Sequence, residues 1–266
     1  MKKFSAILLV FAVLFSFAAC EGGLGGETTT KRQYYKEYGE TIVFENPNLT
    51  VPEALFQIVN ESDYSKKESD PNTTQSSGVT MIQKRYTLNK DNSNPIPVKV
   101  TSGATQMLLN KTVLKDVVSG GWKYVGKVNE TTTVGAGKGS SVFLTNSEGK
   151  MLKLSVINRT AETAAIGDCV IVEVGVTKTV QTEGGWADFT LGNTVKTDAN
   201  YETVVKELGV PNKINVVERY KGNNFNFCSV NLIYEKQAGD VKYSVSVSYK
   251  DDGKTSTLES LIVTAK

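Results

Sequence analysis

Hydrophobic positions cluster first at the very start of the chain. Phe4 to Phe17 is an apolar run broken only by serines, preceded by Lys2 and Lys3. A membrane-spanning helix needs roughly 20 apolar residues, so the run has instead the length of an export signal. Glu21 to Gln33 then shows no apolar period and is rich in glycine and threonine, the composition of a flexible tether. Beyond it, Thr41–Phe44 predicts a short strand. Pro52 to Asn60 predicts a helix, with Thr50 as a cap and Ala54, Leu55, Ile58 and Val59 as one stripe. Ser62–Ser77 and Asn89–Pro97 are polar and turn-rich, and the weak alternation of Val79–Leu88 between them predicts a strand. Ala104–Val118 predicts a helix stopped by Gly120-Gly121, its face formed by Leu108, Leu109, Val113, Leu114 and Val117.

From Trp122 the period changes to two. Trp122–Val128, Ser141–Thr145, Met151–Ile157, Gly167–Val176 and Trp186–Leu191 predict five strands, with Asn146-Ser-Glu-Gly149 as a hairpin turn. Their inward residues are expected to include Leu152, Leu154 and Val156, then Val170, Val172, Val174 and Val176, and finally Ala187, Phe189 and Leu191. Asn200–Leu208 predicts a helix closed by Gly209 and Pro211, with Tyr201, Val204, Val205 and Leu208 on one face. Three strands follow, at Phe225–Glu235, Val241–Tyr249 and Leu258–Thr264. The chain therefore divides into a signal peptide at 1–19, a tether at 20–33, an α+β region at 34–121, a five-stranded unit at 122–197 and an α-β-β-β module at 198–266. The fold class is mainly β within α+β.

Three resemblances attach to these segments. Phe17-Ala18-Ala19-Cys20 closes the apolar run and resembles the lipobox of bacterial lipoproteins, with Phe17 in place of the commoner leucine. That resemblance implies lipidation of Cys20, cleavage before it, and stable anchoring by two or three acyl chains. The protein would then sit in the cell envelope, on an outer membrane or an extracytoplasmic face. Within 122–197, Val125-Gly-Lys-Val128, the Leu144–Lys150 hairpin and Ile166-Gly-Asp168 resemble an OB-fold, which implies a small five-stranded barrel. The 198–266 module, with Leu208-Gly-Val-Pro211 at its helix end, resembles the SmpA/BamE and β-lactamase-inhibitor-like modules of bacterial envelope proteins. Members of that group bind other proteins with the sheet or its edges, which would require an open edge or apolar patch on 225–264.

Composition narrows the chemistry. The formal charge of +2 is the contribution of Lys2 and Lys3, so the mature chain is balanced. Nucleic-acid binding relies on clustered cations, and no such footprint is expected here. The chain contains no histidine, which removes the usual general base and the commonest metal ligand. Gly135-Ala-Gly-Lys-Gly-Ser-Ser141 separates lysine from serine and leads into a strand, unlike a phosphate-binding loop that opens a helix. No catalytic residue, metal site or cofactor is expected. In an exported chain Cys169 and Cys228 form either a disulfide or two small buried thiols. Trp122, Tyr124 and Trp186 are the candidate ligand-binding aromatics of the barrel face; the alternative is that they pack in its core and ends. The expected function is non-catalytic protein binding or envelope assembly, with the membrane and another envelope protein as partners. The alternative is a solute- or glycan-binding lipoprotein.

Overall fold

A computed structural model describes residues 34–36, 42–44, 53–74, 78–90, 95–221, 224–252 and 255–266. The signal segment, Cys20 and the tether lie outside these residues. All the described residues fall within one unit, Arg32–Lys266.

In chain order, β1 (Tyr34–Lys36) and β2 (Ile42–Phe44) precede helix α1 (Glu53–Ile58). Strands β3 (Tyr64–Glu68), β4 (Asn72–Thr74) and β5 (Val79–Leu88) follow, so the polar stretch 62–77 is strand rather than loop over part of its length. Next come β6 (Lys99–Ser102), β7 (Thr105–Leu108) and helix α2 (Leu114–Ser119). The long helix expected over 104–118 is thus confined to its last third. Thr105–Leu108 hydrogen-bonds to β6 instead, and Asn110 takes a left-handed conformation, φ 65°, that no helix can continue through. The middle of the chain holds β8 (Lys123–Val125), β9 (Thr133–Val134), β10 (Gly139–Thr145), β11 (Met151–Ile157), β12 (Ala164–Ala165), β13 (Val170–Thr177), β14 (Thr190–Leu191) and β15 (Val195–Lys196). Helix α3 (Tyr201–Leu208) leads into a meander of β16 (Lys213–Lys221), β17 (Asn224–Ala238), β18 (Val241–Asp251) and β19 (Thr255–Ala265).

The architecture is mainly β, built on one large antiparallel sheet in the order β3-β5-β16-β17-β18-β19-β13-β11-β10-β8. The 198–266 segment contributes four strands rather than three. Ile214 and Val216 alternate inward along β16, but the third inward residue is Glu218, which breaks the apolar signal. No closed barrel is found among the described residues. To close one, the last strand of 122–197 would have to meet the first. Instead β14 pairs with β6 in a separate four-stranded sheet, and the far edge of β13 is occupied by β19. The open edge expected on 225–264 is likewise absent, since β17, β18 and β19 each lie between two strands.

Strand alternation puts one apolar side chain in two toward the core, and the registers align these into rows. One row runs Tyr86, Ile214, Leu232, Val247, Leu261, Val176 across six strands. A second runs Tyr234, Val245, Val263, Val174, Leu154, Val142. Every member is buried. A bulge between Ser155 and Val156 slips the alternation of β13, so Ile171 rather than Val170 stands opposite Val156 on the core side. Helices α1 and α3 cover the other end of this face. Phe56 meets Tyr86 at 5.2 Å between ring centroids, and Tyr201 meets Tyr249 at 4.1 Å. Asn200 caps α3 by accepting from the Thr203 amide at 2.9 Å.

Two polar clusters tie strands together. Glu218 is fully buried, ion-paired to Lys84 of β5, and accepts from the Tyr220 hydroxyl at 3.1 Å. Glu235 of β17 accepts from Lys213 of β16 and Lys242 of β18, each at 2.8 Å. Removing one partner of a buried pair strands the other charge, so Lys84→Met is expected to cost about 3–5 kcal/mol in urea unfolding. The double variant Lys84→Met/Glu218→Leu should recover most of that loss. A single-variant cost below about 1 kcal/mol would contradict the pairing.

Hydrogen bonds from Lys213 and then Lys242 hold the Glu235 carboxyl below the usual glutamate value. A depressed folded value stabilises the protein above the unfolded value, near pH 4.3, and the contribution is lost as pH falls through the folded value. Thermal melts should therefore show wild type above Glu235→Gln at pH 6, with the gap closing below about pH 4. A gap that is constant from pH 3 to 7 would count against this account.

Candidate functional site

The described groove that gathers sequence-predicted aromatics lies at the β8 end of the large sheet, and its volume is about 640 Å³. One wall is α2. Thr112 prepares the turn into it, its Oγ1 accepting from the Leu108 amide at 2.9 Å, and Leu114 and Val117 point into the core. The helix ends at Gly120, whose amide donates back to Asp116 and Val117. Gly121 follows at φ 103°, a conformation that favours glycine, and turns the chain into Trp122.

Trp122 and Tyr124 form the floor. Trp122 is 4% exposed, and its Nε1–H donates to Thr105 Oγ1 at 3.1 Å. A buried indole N–H needs such a partner. Tyr124 is half-buried; desolvation, and then the Glu130 and Cys169 charges, push its hydroxyl above the usual tyrosine value. It therefore stays a neutral hydroxyl that both donates and accepts hydrogen bonds. Strand β8 stops at Gly126, φ 86°, shorter than the seven residues expected from the pattern. The next loop brings Val128, Asn129 and Glu130 over the groove, with Asn129 Oδ1 accepting from the Thr131 amide at 3.0 Å.

The Ile166–Asp168 turn packs directly against α2 and extends that wall. Asp168 accepts from Lys115 of α2 at 2.8 Å, and this hydrogen bond is the main reason the lysine amine is held above its usual value. Burial, and then the charge of Asp168, push the Cys169 thiol up as well. A thiol in that state is not the thiolate that nucleophilic chemistry requires. The groove thus offers apolar and aromatic surface, the hydroxyls of Tyr124 and Ser119, and a charge-balanced rim of Lys115, Asp168, Lys123 and Glu130. That inventory serves binding.

The other nominated residues lie elsewhere. Trp186 is half-buried and donates to the Val180 carbonyl at 2.8 Å, clipped beside Met151 rather than lining this groove. Cys169 and Cys228 are both buried and are not joined in a disulfide. Cys169 reaches the Ala165 carbonyl at 3.6 Å, and Cys228 sits in β17 opposite Glu218 and Asp251. No group of three or more metal-ligating side chains occurs among the described residues. Sequence reading missed Lys115, Asp168, Val118 and Val128, because Lys115 and Asp168 stand 53 positions apart with no shared motif. Compared with protein-family models, curated proteins and solved structures, the chain matches none.

The chain has two tryptophans, which makes the geometry easy to check. In Trp186→Phe the remaining indole, Trp122, should emit at short wavelength and resist acrylamide quenching. In Trp122→Phe the remaining Trp186 should be quenched more readily. The reverse order would overturn the placement of Trp122.

Proposed function

We propose that this chain is a lipid-anchored cell-envelope lipoprotein of bacterial type, acting without catalysis by binding another envelope protein. The observation that carries the location is Phe17-Ala18-Ala19-Cys20 at the end of a short apolar run behind Lys2 and Lys3. The balanced charge of the mature chain leaves acylated Cys20 and its tether as the main membrane attachment. It also speaks against a nucleic-acid partner.

The groove beside Trp122 and Tyr124 is the recognition site. Support comes from its apolar floor, its balanced rim and its position at a free end of the sheet. The loop after β8 adds Val128, Asn129 and Glu130 to the lining. The envelope-module resemblance of 198–266 favours a protein as the partner. The glycan alternative relied on Trp122 and Trp186 acting together, and their separation weighs against it.

The test is made on the full chain in cells. Cys20→Ser should leave uncleaved precursor or release soluble protein, and mature protein still firmly membrane-bound would refute the anchor. A photo-cross-linking amino acid at Lys123 should give a discrete adduct that is absent when it is placed at exposed Lys178. Equal labelling from both positions would refute the groove as the contact.

A further inference from the structure

We infer that the groove receives an extended, uncharged peptide segment of the partner, which adds as a further strand to the outer edge of β8. This rests on the protein-binding reading above and says how the partner is held.

The edge itself is the first reason. Among the described residues β8 ends the sheet order and pairs on one side only, with β10, through Lys123↔Thr145, Tyr124↔Leu144 and Val125↔Phe143. Backbone donors and acceptors alternate between the two sides of a strand, so its other row faces no strand among the described residues. An extended peptide matches such a row group for group.

The second reason is the direction of the groove. Successive side chains of a strand point to opposite faces of the sheet. Lys123 and Tyr124 are consecutive in β8, yet both line the groove, as does Trp122 just before the strand. The groove therefore reaches past one face to the edge of the strand at its start.

The third reason is the contrast between the two ends of the sheet. At the opposite end, β3 presents Lys66, Lys67 and Glu68, all exposed. Charges on an edge strand oppose pairing with another chain. The β8 edge has a single lysine and lies beside Val118, Trp122 and Val128, which provide an apolar slot for one side chain of the incoming strand. The volume of about 640 Å³ suits a short segment rather than a globular surface. The rim sets the charge of the occupant. The rim carries two lysines, Lys115 and Lys123, and two carboxylates, Asp168 and Glu130, with Lys115 and Asp168 paired, so a charged side chain would gain no net attraction there.

The experiment uses the full-length lipoprotein in detergent micelles and a displayed library of random seven-residue peptides. An enriched peptide is resynthesised with capped ends, and its binding is followed at Trp122 in the Trp186→Phe variant. The expected peptides carry a branched or aromatic residue flanked by uncharged ones, and they shift the Trp122 emission saturably. N-methylation of alternate amides in one register should weaken binding about tenfold, the loss of two backbone hydrogen bonds. Methylation in the other register should change it little. Equal effects from both registers would overturn strand addition. So would a library that yields no peptide acting at Trp122, or a dimer of this chain that the peptide disperses, which would make the occupant a second copy. If a neutral oligosaccharide shifts Trp122 and no peptide does, the inference falls while the groove stands. If the Lys123 adduct also fails to form, the protein-binding reading falls with it.

Discussion

The ladder between β13 and β19 runs from Glu173↔Thr264 to Thr177↔Ser260 and joins what would otherwise be two sheets. Its core-facing pairs, Val174 with Val263 and Val176 with Leu261, are buried, and each continues a row that crosses strands on both sides. Gly175 sits between them opposite Ile262. A Cβ there would come within 3.1 Å of Ile262 Cγ1, so the Ile262 side chain would have to give by a few tenths of an ångström. A strand has only two edges. Once β19 takes the far edge of β13, that edge can no longer close the 122–197 segment on itself, and β14 finds its partner in β6. The open sheet, the separate small sheet and the free end at β8 all follow from that one pairing.

The open sheet holds polar groups within its core face, and several of them are tied to named partners. Glu218 occupies an inward position of β16, where an apolar residue would ordinarily stand, and Lys84 and Tyr220 both bind it. Tyr249 donates to the Ala199 carbonyl at 2.8 Å, fixing the entrance to α3, and Tyr64 donates to the Pro211 carbonyl at 2.9 Å, fixing its exit. Buried tyrosines thus anchor the helix layer at both ends through hydrogen bonds that also fix orientation. The groove is the counterpart of this order at the other end of the sheet. There the strand is short, the helix covering it is short, and loops supply the walls.

Much of this was legible in the sequence. The export run, Cys20 and the flat charge balance are properties of order and composition, which no folding can alter. The alternation of Met151–Ile157 and of β17–β19 fixes which side chains face inward, because one residue in two must do so. The caps of α3 are local as well, since Asn200 and Gly209 act within a few residues of themselves. Where local pattern was interrupted, reading failed. Glu218 hid β16, Asn110 split the helix expected over 104–118, and a bulge moved the inward position from Val170 to Ile171.

Which edges pair was decided only by tertiary structure. Strand pattern states that a strand has a buried face, but it is silent about its neighbours, because hydrogen-bonding edges are made of backbone and are the same for every sequence. A five-stranded barrel and an open sheet therefore share one alternation, and burial of the β13–β19 rows chose between them. The groove was hidden for the same reason. Trp122 and Tyr124 could be nominated as aromatics, while Lys115, Asp168 and Val128 reach them through α2, a turn and a loop brought together by the fold.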